Sequence, residues 1–240
     1  MKILVLSPHA DDAVFSCFDH IRDWRKSGHT VDVCTVFSKF TPSKLSDDVR
    51  GYMANSGYTS VQLFEKARQH EDRRALNYLG VHFLTPRFID GAFYEHGGKN
   101  VYPSFGELFS GRIAENDARV LSLAEYLDKI CPRYDTVVSP IGIGSQADHV
   151  ITALCAKNYV KKNALWYYYD VPYYFFPHNW KRKYIHTLFK MRMSLKWITK
   201  DKIRCMNMYE SQTNLIIRNN RRFFFREKRT VFPEIIVSPW

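Results

Sequence analysis

The stretch Ile3-Leu4-Val5-Leu6-Ser7-Pro8-His9-Ala10-Asp11-Asp12-Ala13 decides how the rest of the chain is read. Its four consecutive apolar residues predict a short strand buried on both faces. The residues that follow put one imidazole and two carboxylates in the loop where that strand ends. Apolar residues then recur at helical spacing, Val14, Phe15, Phe18, Ile21 and Trp24, which predicts a helix over Asp12 to Lys26 with Gly28 placed to stop it. Thr30 to Phe37 is β-branched and partly alternating, a second strand. Strand, helix and strand at this spacing make a βαβ unit, so the two strands are expected to be parallel. In open α/β sheets ligands bind beyond the carboxyl ends of the strands, and His9, Asp11 and Asp12 fall there.

The same layout recurs later. Asp135 to Pro140 reads as a strand, runs into Ile141-Gly142-Ile143-Gly144-Ser145-Gln146-Ala147-Asp148-His149, and continues as a helix to about Val160. Between the two units, Ser38 to about Ser60 is polar and reads as a long loop. Ser60 to Leu79 reads as a helix closed by Gly80, with Glu65, Lys66, Arg68, Glu71, Asp72 and Arg73 placed for pairing with neighbours. Val81 to Leu84 is a short strand, Asp90 to Asn116 is irregular, and Ala118 to Ile130 is a further helix. Leu165 to Asp170 is an aromatic strand stopped by Val171-Pro172. A basic segment follows around residues 188–198, then a helix near Lys202 to Ser211. No G-x-G-x-x-G follows the first strand, which counts against a dinucleotide site.

At 240 residues the chain supports one substantial core. No apolar run reaches the ~18–20 residues of a membrane span, and the start has no secretory-signal pattern. Five scattered cysteines without a C-x-x-C pair fit reduced thiols in a cytoplasmic protein. The net charge of +11 is unusual, and much of it lies in the last third, from Lys181 to Arg229. That excess suits an anionic partner such as a membrane surface, a lipid-linked phosphate, a sugar nucleotide or nucleic acid; it also suits a solvated basic face.

Two strand ends on one edge of a parallel sheet can converge. Two imidazoles and one carboxylate with an open fourth position make a catalytic zinc site, and a cation there acidifies a bound water. On this reading His9, Asp12 and His149 hold the metal and Asp11 is the general base. The competing reading is helix capping: Asp11 or Asp12, and Asp148, would satisfy free N–H groups at helix starts.

Pro8-His9-Ala10-Asp11-Asp12 resembles the His-Pro-Asp-Asp signature of the PIG-L/LmbE-like zinc-dependent N-deacetylases, and Ala147-Asp148-His149 resembles the end of their His-x-Asp-His element. Weaker likenesses are His70 to Ala75, Tyr169-Asp170-Val171-Pro172-Tyr173, and Lys202 through Tyr209-Glu210-Ser211-Gln212. The resemblance spans residues 1 to about 212 and implies a single domain over 1–240. Residues 213–240 would then form a basic extension or a final strand. It further implies a Rossmann-like three-layer α/β sandwich with a mostly parallel sheet and the metal site at the carboxyl strand ends. The implied activity is removal of an N-acetyl group from an amino sugar or its conjugate, with Zn²⁺ or another divalent ion as cofactor. Residue by residue, it implies metal ligation by His9, Asp12 and His149, base catalysis by Asp11, and Asp148 as the carboxylate orienting the first His of the second motif. That His is absent; Gln146 stands in its place, able to donate a hydrogen bond but not a proton. Asp11 would then shuttle the proton, or His178 would fill the gap. The aromatics of 166–180 suit either sugar stacking or packing. The departure at Gln146 leaves a second expectation open, an impaired member acting as a glycan- or anion-binding module.

Overall fold

The computed structural model describes residues 1–41, 44–160, 164–173, 191–213 and 233–239. Its centre is the predicted βαβ unit: β1 (Lys2–Ser7), α1 (Asp12–Lys26) and β2 (Thr30–Thr35), with the two strands parallel and in register from Lys2 opposite Thr30 to Ser7 opposite Thr35. The second strand is shorter than its sequence predicts. At Val36 the chain leaves the main sheet, and β3 (Phe37–Lys39) pairs with β5 (Phe88–Ile89) in a separate two-stranded ribbon.

The main sheet is completed by β4 (His82–Leu84), β8 (Thr136–Pro140), β9 (Leu165–Tyr168), β10 (Met191–Trp197) and β11 (Pro233–Pro239). Strand order is β10-β11-β9-β8-β1-β2-β4. The pairs from β9 to β4 are parallel, and β11 pairs antiparallel with both β9 and β10. Period two along β1 sorts its side chains into two cores. Ile3 and Val5 pack with α1, α3 (Val61–Leu79) and α7 (Lys200–Met206), while Leu4 and Leu6 pack with α5 (Arg119–Ile130) and α6 (Ala147–Tyr159). Helices on both faces of a mostly parallel sheet make the expected three-layer α/β sandwich.

The expected loop over Ser38 to Ser60 contains a helix, α2 (Asp47–Asn55), whose start is capped by Ser46. It belongs to a small satellite core with Phe40, Phe64 and Phe93, so a polar segment is helical because its few apolar residues, Val49 and Met53, dock there. The irregular stretch Asp90 to Asn116 holds the ribbon of β6 (Glu95–His96) and β7 (Lys99–Asn100) and the single turn α4 (Phe105–Leu108). On α3 the charged residues do not all face water. Arg68, Glu71 and Asp72 are buried on the same stripe as Phe64, Ala75 and Leu76.

The last strand is inserted between β9 and β10, the final strand allowed for in the sequence. Glu234 on β11 is sealed from solvent, accepts from Asp19 and His20 N–H and from Lys202 Nζ at 2.8 Å, and ties the strand to α1 and α7. All five cysteines are free and buried. Among the described residues no helix is long and apolar enough to cross a membrane. His178, most of the aromatic loop and most of the basic C-terminal residues lie outside the described residues.

Candidate metal centre

The two loops predicted to converge do so. β1 and β8 are adjacent and parallel, so the turns after Ser7 and after Pro140 open on one edge. Ser7 Oγ accepts from Ala13 N–H at 3.0 Å and so serves the start of α1. Asp11 is therefore released from capping: it occupies the N-cap position but its side chain caps no backbone group. Its φ of 141° lies where L-residues are rarely found, local strain of the kind that clusters at functional sites. The carboxylate is turned instead toward α3, where Arg68 Nη1 donates to it at 3.3 Å.

His9, Asp12 and His149 come together with one ligand atom each within 4.8 Å of the others. Asp12 Oδ2 lies 3.3 Å from His9 Nδ1 and 3.3 Å from His149 Nε2. The other nitrogen of each ring is already held: His9 Nε2 by Asp148 Oδ2 at 3.0 Å, His149 Nδ1 by Asp170 Oδ1 at 2.5 Å. This carboxylate–histidine arrangement fixes ring orientation and leaves the free nitrogen facing the cluster. His149 Nε2 is buried without a hydrogen-bond partner, an orphan that a cation would satisfy. The donor set of two imidazoles and one carboxylate suits a divalent ion, so these residues fit the metal that the motif implies. A second grouping, His9 with Asp90 and Asp148, fits less well, because Asp148 is already occupied by Arg119 at 2.8 Å and by Gly91 N–H at 2.8 Å.

The electrostatics agree with this division. Burial would raise Asp12, but His149 and His9 outweigh it and hold the carboxylate far below its ordinary range. Burial works against His149 too, and Asp12 with Asp170 lifts it to about 9. Asp11 goes the other way: burial and the neighbouring Asp12 push it up to about 7 against the pull of Arg68. Asp148 is kept ionised, against burial, by Arg119 and His9.

One expected role changes. Asp148 does not orient the side chain at 146; its carboxylate faces His9, Gly91 and Arg119. The residue it would orient is a glutamine whose Oε1 is taken up as the N-cap of α6, accepting from Asp148 and His149 N–H at 2.6 and 3.1 Å. With Oε1 so used, the amide NH₂ is the part of Gln146 left for the cavity it lines. Asp170, placed by the sequence only within a weaker family likeness and given no role, secures His149 and also accepts from Gly142 and Ile143 N–H. Its signal was its place at the end of β9, the same edge that drew attention to the other ligands. Arg68, expected to pair with neighbours on its own helix, pairs instead with Asp11.

The cavity over the cluster measures about 530 Å³. Beside the polar floor of His9, Asp11, Asp12 and Arg68 stands an aromatic wall: Tyr52 against Phe105, Phe105 against Phe109, Phe109 against Tyr173, with ring centroids 6.0–6.2 Å apart. Burial and the carboxylates of Asp12, Asp11 and Asp170 hold the Tyr173 phenol well above the usual tyrosine range, so it stays a hydrogen-bond donor.

Fold and cluster together define a Rossmann-type α/β protein with a buried His-Asp-His cluster able to hold a metal at the carboxyl edge of its sheet. The chain belongs to the PIG-L family, described as GlcNAc-PI de-N-acetylase, which it matches over residues 4–160. It is 26% identical over 117 residues to 2'-N-acetylparomamine deacetylase of Niallia circulans, a match covering 44% of this chain and 42% of that protein. The chain thus matches less than half of that relative's length. Among solved structures, the zinc-inhibited form of teicoplanin deacetylase Orf2 superposes with a TM-score of 0.76 at 22% identity, covering 100% of this chain and 99% of that one. N,N'-diacetylchitobiose deacetylase from Pyrococcus horikoshii gives 0.55 at 14% identity, covering 99% and 84%.

Proposed function

We propose that this chain is a zinc-dependent hydrolase that removes the N-acetyl group from an amino sugar or an amino-sugar conjugate. The observation that carries the reading is the buried Nε2 of His149, which makes no hydrogen bond and lies 3.3 Å from Asp12 Oδ2, with Asp11 next in the chain to Asp12. Membership of a de-N-acetylase family supports the acetamide as substrate. The named activities of the relatives, on acetylated paromamine, teicoplanin and diacetylchitobiose, support the amino sugar.

His9, Asp12 and His149 would hold the ion. When bound, it supplies Lewis acidity at the reacting oxygen atoms. Asp11 takes the proton of the attacking water as the new C–O bond forms. It returns that proton to the amine nitrogen as the C–N bond breaks, leaving a free amine and acetic acid, which ionises to acetate in solvent. Arg68 keeps the Asp11 carboxylate turned to the cavity. The Gln146 NH₂ donates to the acyl oxygen as charge develops there. It supplies no proton, which places both transfers on Asp11. The basic C-terminal third supports a substrate borne on an anionic, lipid-linked carrier, met in the cytoplasm or at a membrane surface; a KM that rises steeply with salt checks this.

The test is acetate release from a panel of N-acetylated amino sugars by protein loaded with about one equivalent of Zn²⁺, the ion expected at a site of this kind. Chelation should stop turnover. Asp11→Asn should keep the zinc and lose activity by a factor on the order of 10²–10⁴. A protein with no affinity for divalent ions would exclude the reading. Gln146 favours one alternative, a member that keeps the metal for glycan or anion binding without hydrolysis. Zinc binding and sugar binding with no acetate release from any substrate would select it.

A further inference from the structure

Gly144 is a glycine that its backbone does not require. The left-handed residues of its loop are Gly142, with φ 74°, and Ser145, with φ 61°; Gly144 is not among them. What it provides is room. A Cβ at this position would lie 2.2 Å from Cγ of Tyr173 and 2.6 Å from both Cδ1 and Cδ2. The face of the tyrosine ring, at its root, thus lies directly against the Gly144 backbone. The ring is also braced from the side, perpendicular to His149 with centroids 5.4 Å apart, and it packs against Phe109 at 6.0 Å. Tyr173 lines the same cavity as His9, Asp11, Asp12 and Gln146. A rigidly seated phenol therefore borders the space where the scissile group must lie.

The deacetylase reading creates a need for such a group. As water adds to an amide, the carbonyl oxygen becomes anionic, and fixed donors aimed at it lower the barrier. Gln146 offers a neutral amide in place of a histidine, with its oxygen committed to α6. We propose that Tyr173, seated by Gly144, is a catalytic residue that donates its phenolic hydrogen bond to the acyl oxygen of the substrate. This rests on the deacetylase reading. Tyr173 then complements Gln146, and Gly144 is a positioning residue, since any side chain there displaces the ring.

The experiment compares Tyr173→Phe, Gly144→Ala and the double variant as zinc-loaded proteins. Tyr173→Phe keeps the packing and removes one oxygen; kcat should fall on the order of 10²-fold, with KM and zinc content little changed. Gly144→Ala should fall to the same level, and the double variant no further, because both changes remove one interaction. A second readout needs no turnover: binding of acetohydroxamate, which presents a carbonyl oxygen, measured by calorimetry. Its affinity should drop about tenfold in Tyr173→Phe, the worth of one hydrogen bond. Full kcat or unchanged hydroxamate affinity in Tyr173→Phe overturns the proposal; full activity in Gly144→Ala overturns the seat. Wild-type protein inert on every N-acetylated sugar overturns the deacetylase reading instead. The hydroxamate comparison then still decides whether Tyr173 reaches a carbonyl oxygen.

Discussion

Asp170 makes its contribution through His149. One of its oxygens holds Nδ1 and the other accepts from Gly142 and Ile143 N–H, so it is anchored before any metal arrives. Carboxylates in this position are worth roughly 10–100-fold in metal affinity. Asp170→Asn should weaken Zn²⁺ binding by that factor in a competitive chelator titration, and an unchanged affinity would remove Asp170 from the site. Gln146 caps α6 and, in the proposed mechanism, donates to the acyl oxygen, and substitution can separate the two. Gln146→Glu keeps the acceptor oxygen that caps α6 and loses the NH₂, so melting temperature should hold while turnover falls. Gln146→Ala loses both, and should also cost about 1 kcal/mol of stability for the cap. Equal turnover in Gln146→Glu and wild type would show that the NH₂ has no part in the reaction. At this scale the candidate ligands were legible because each is a His or Asp in the loop or first helical turn that follows a strand. Asp170 satisfied the same rule but stood in an aromatic stretch with no second ligand-type residue beside it. The pairing of Arg68 with Asp11 joins residues 57 apart in sequence, and no local spacing encodes such a contact.

Helix α3 illustrates why element positions were easier to read than their inner faces. Its ends are set by local chemistry, a Ser60 cap and Gly80 in the left-handed conformation with φ 66°, and both signals are visible in sequence. Its inward stripe mixes Phe64, Ala75 and Leu76 with Arg68, Glu71 and Asp72, and charge on a helix ordinarily means water. Here each buried charge has a distant partner: Arg68 meets Asp11, Glu71 meets Ser211, Asp72 meets Thr35 and Tyr209. α2 escaped for the converse reason, since its few apolar residues gain a core only from Phe40, Phe64 and Phe93. Gly80→Ala tests the end of α3. A side chain in that conformation costs roughly 1–2 kcal/mol, and the new Cβ would fall 2.6 Å from Arg25 Nη1, the group that donates to Leu79 C=O. Urea denaturation should show a loss of at least about 1 kcal/mol with turnover unchanged, because Gly80 is remote from the cavity. A stability equal to wild type would mean that the helix end tolerates another conformation.

Across the whole molecule, the return of β11 converts the opening βαβ units into a closed scaffold. Two elements far apart in sequence, α1 and β11, are locked by Glu234, and the site depends on α1 for Asp12 and the strained Asp11. Burial alone would raise Glu234, yet Lys202 and His20 hold it down at about 2. In the unfolded chain a glutamate titrates near its ordinary value of about 4.3. Ionised Glu234 therefore favours the folded state fully above that value. The contribution shrinks as pH falls and vanishes once pH passes below the folded-state value of about 2. Asp72 has the opposite sign, raised by burial to about 6, but it is common to wild type and variant and cancels in their difference. Glu234→Gln should cost about 3–5 kcal/mol at neutral pH, because Lys202 stays buried without its anionic partner. The gap between variant and wild type should narrow steadily from pH 5 toward 2. Urea denaturation at each pH measures it directly. Curves that stay parallel over that range would mean that Glu234 is not the group linking the closing strand to α1 through its charge.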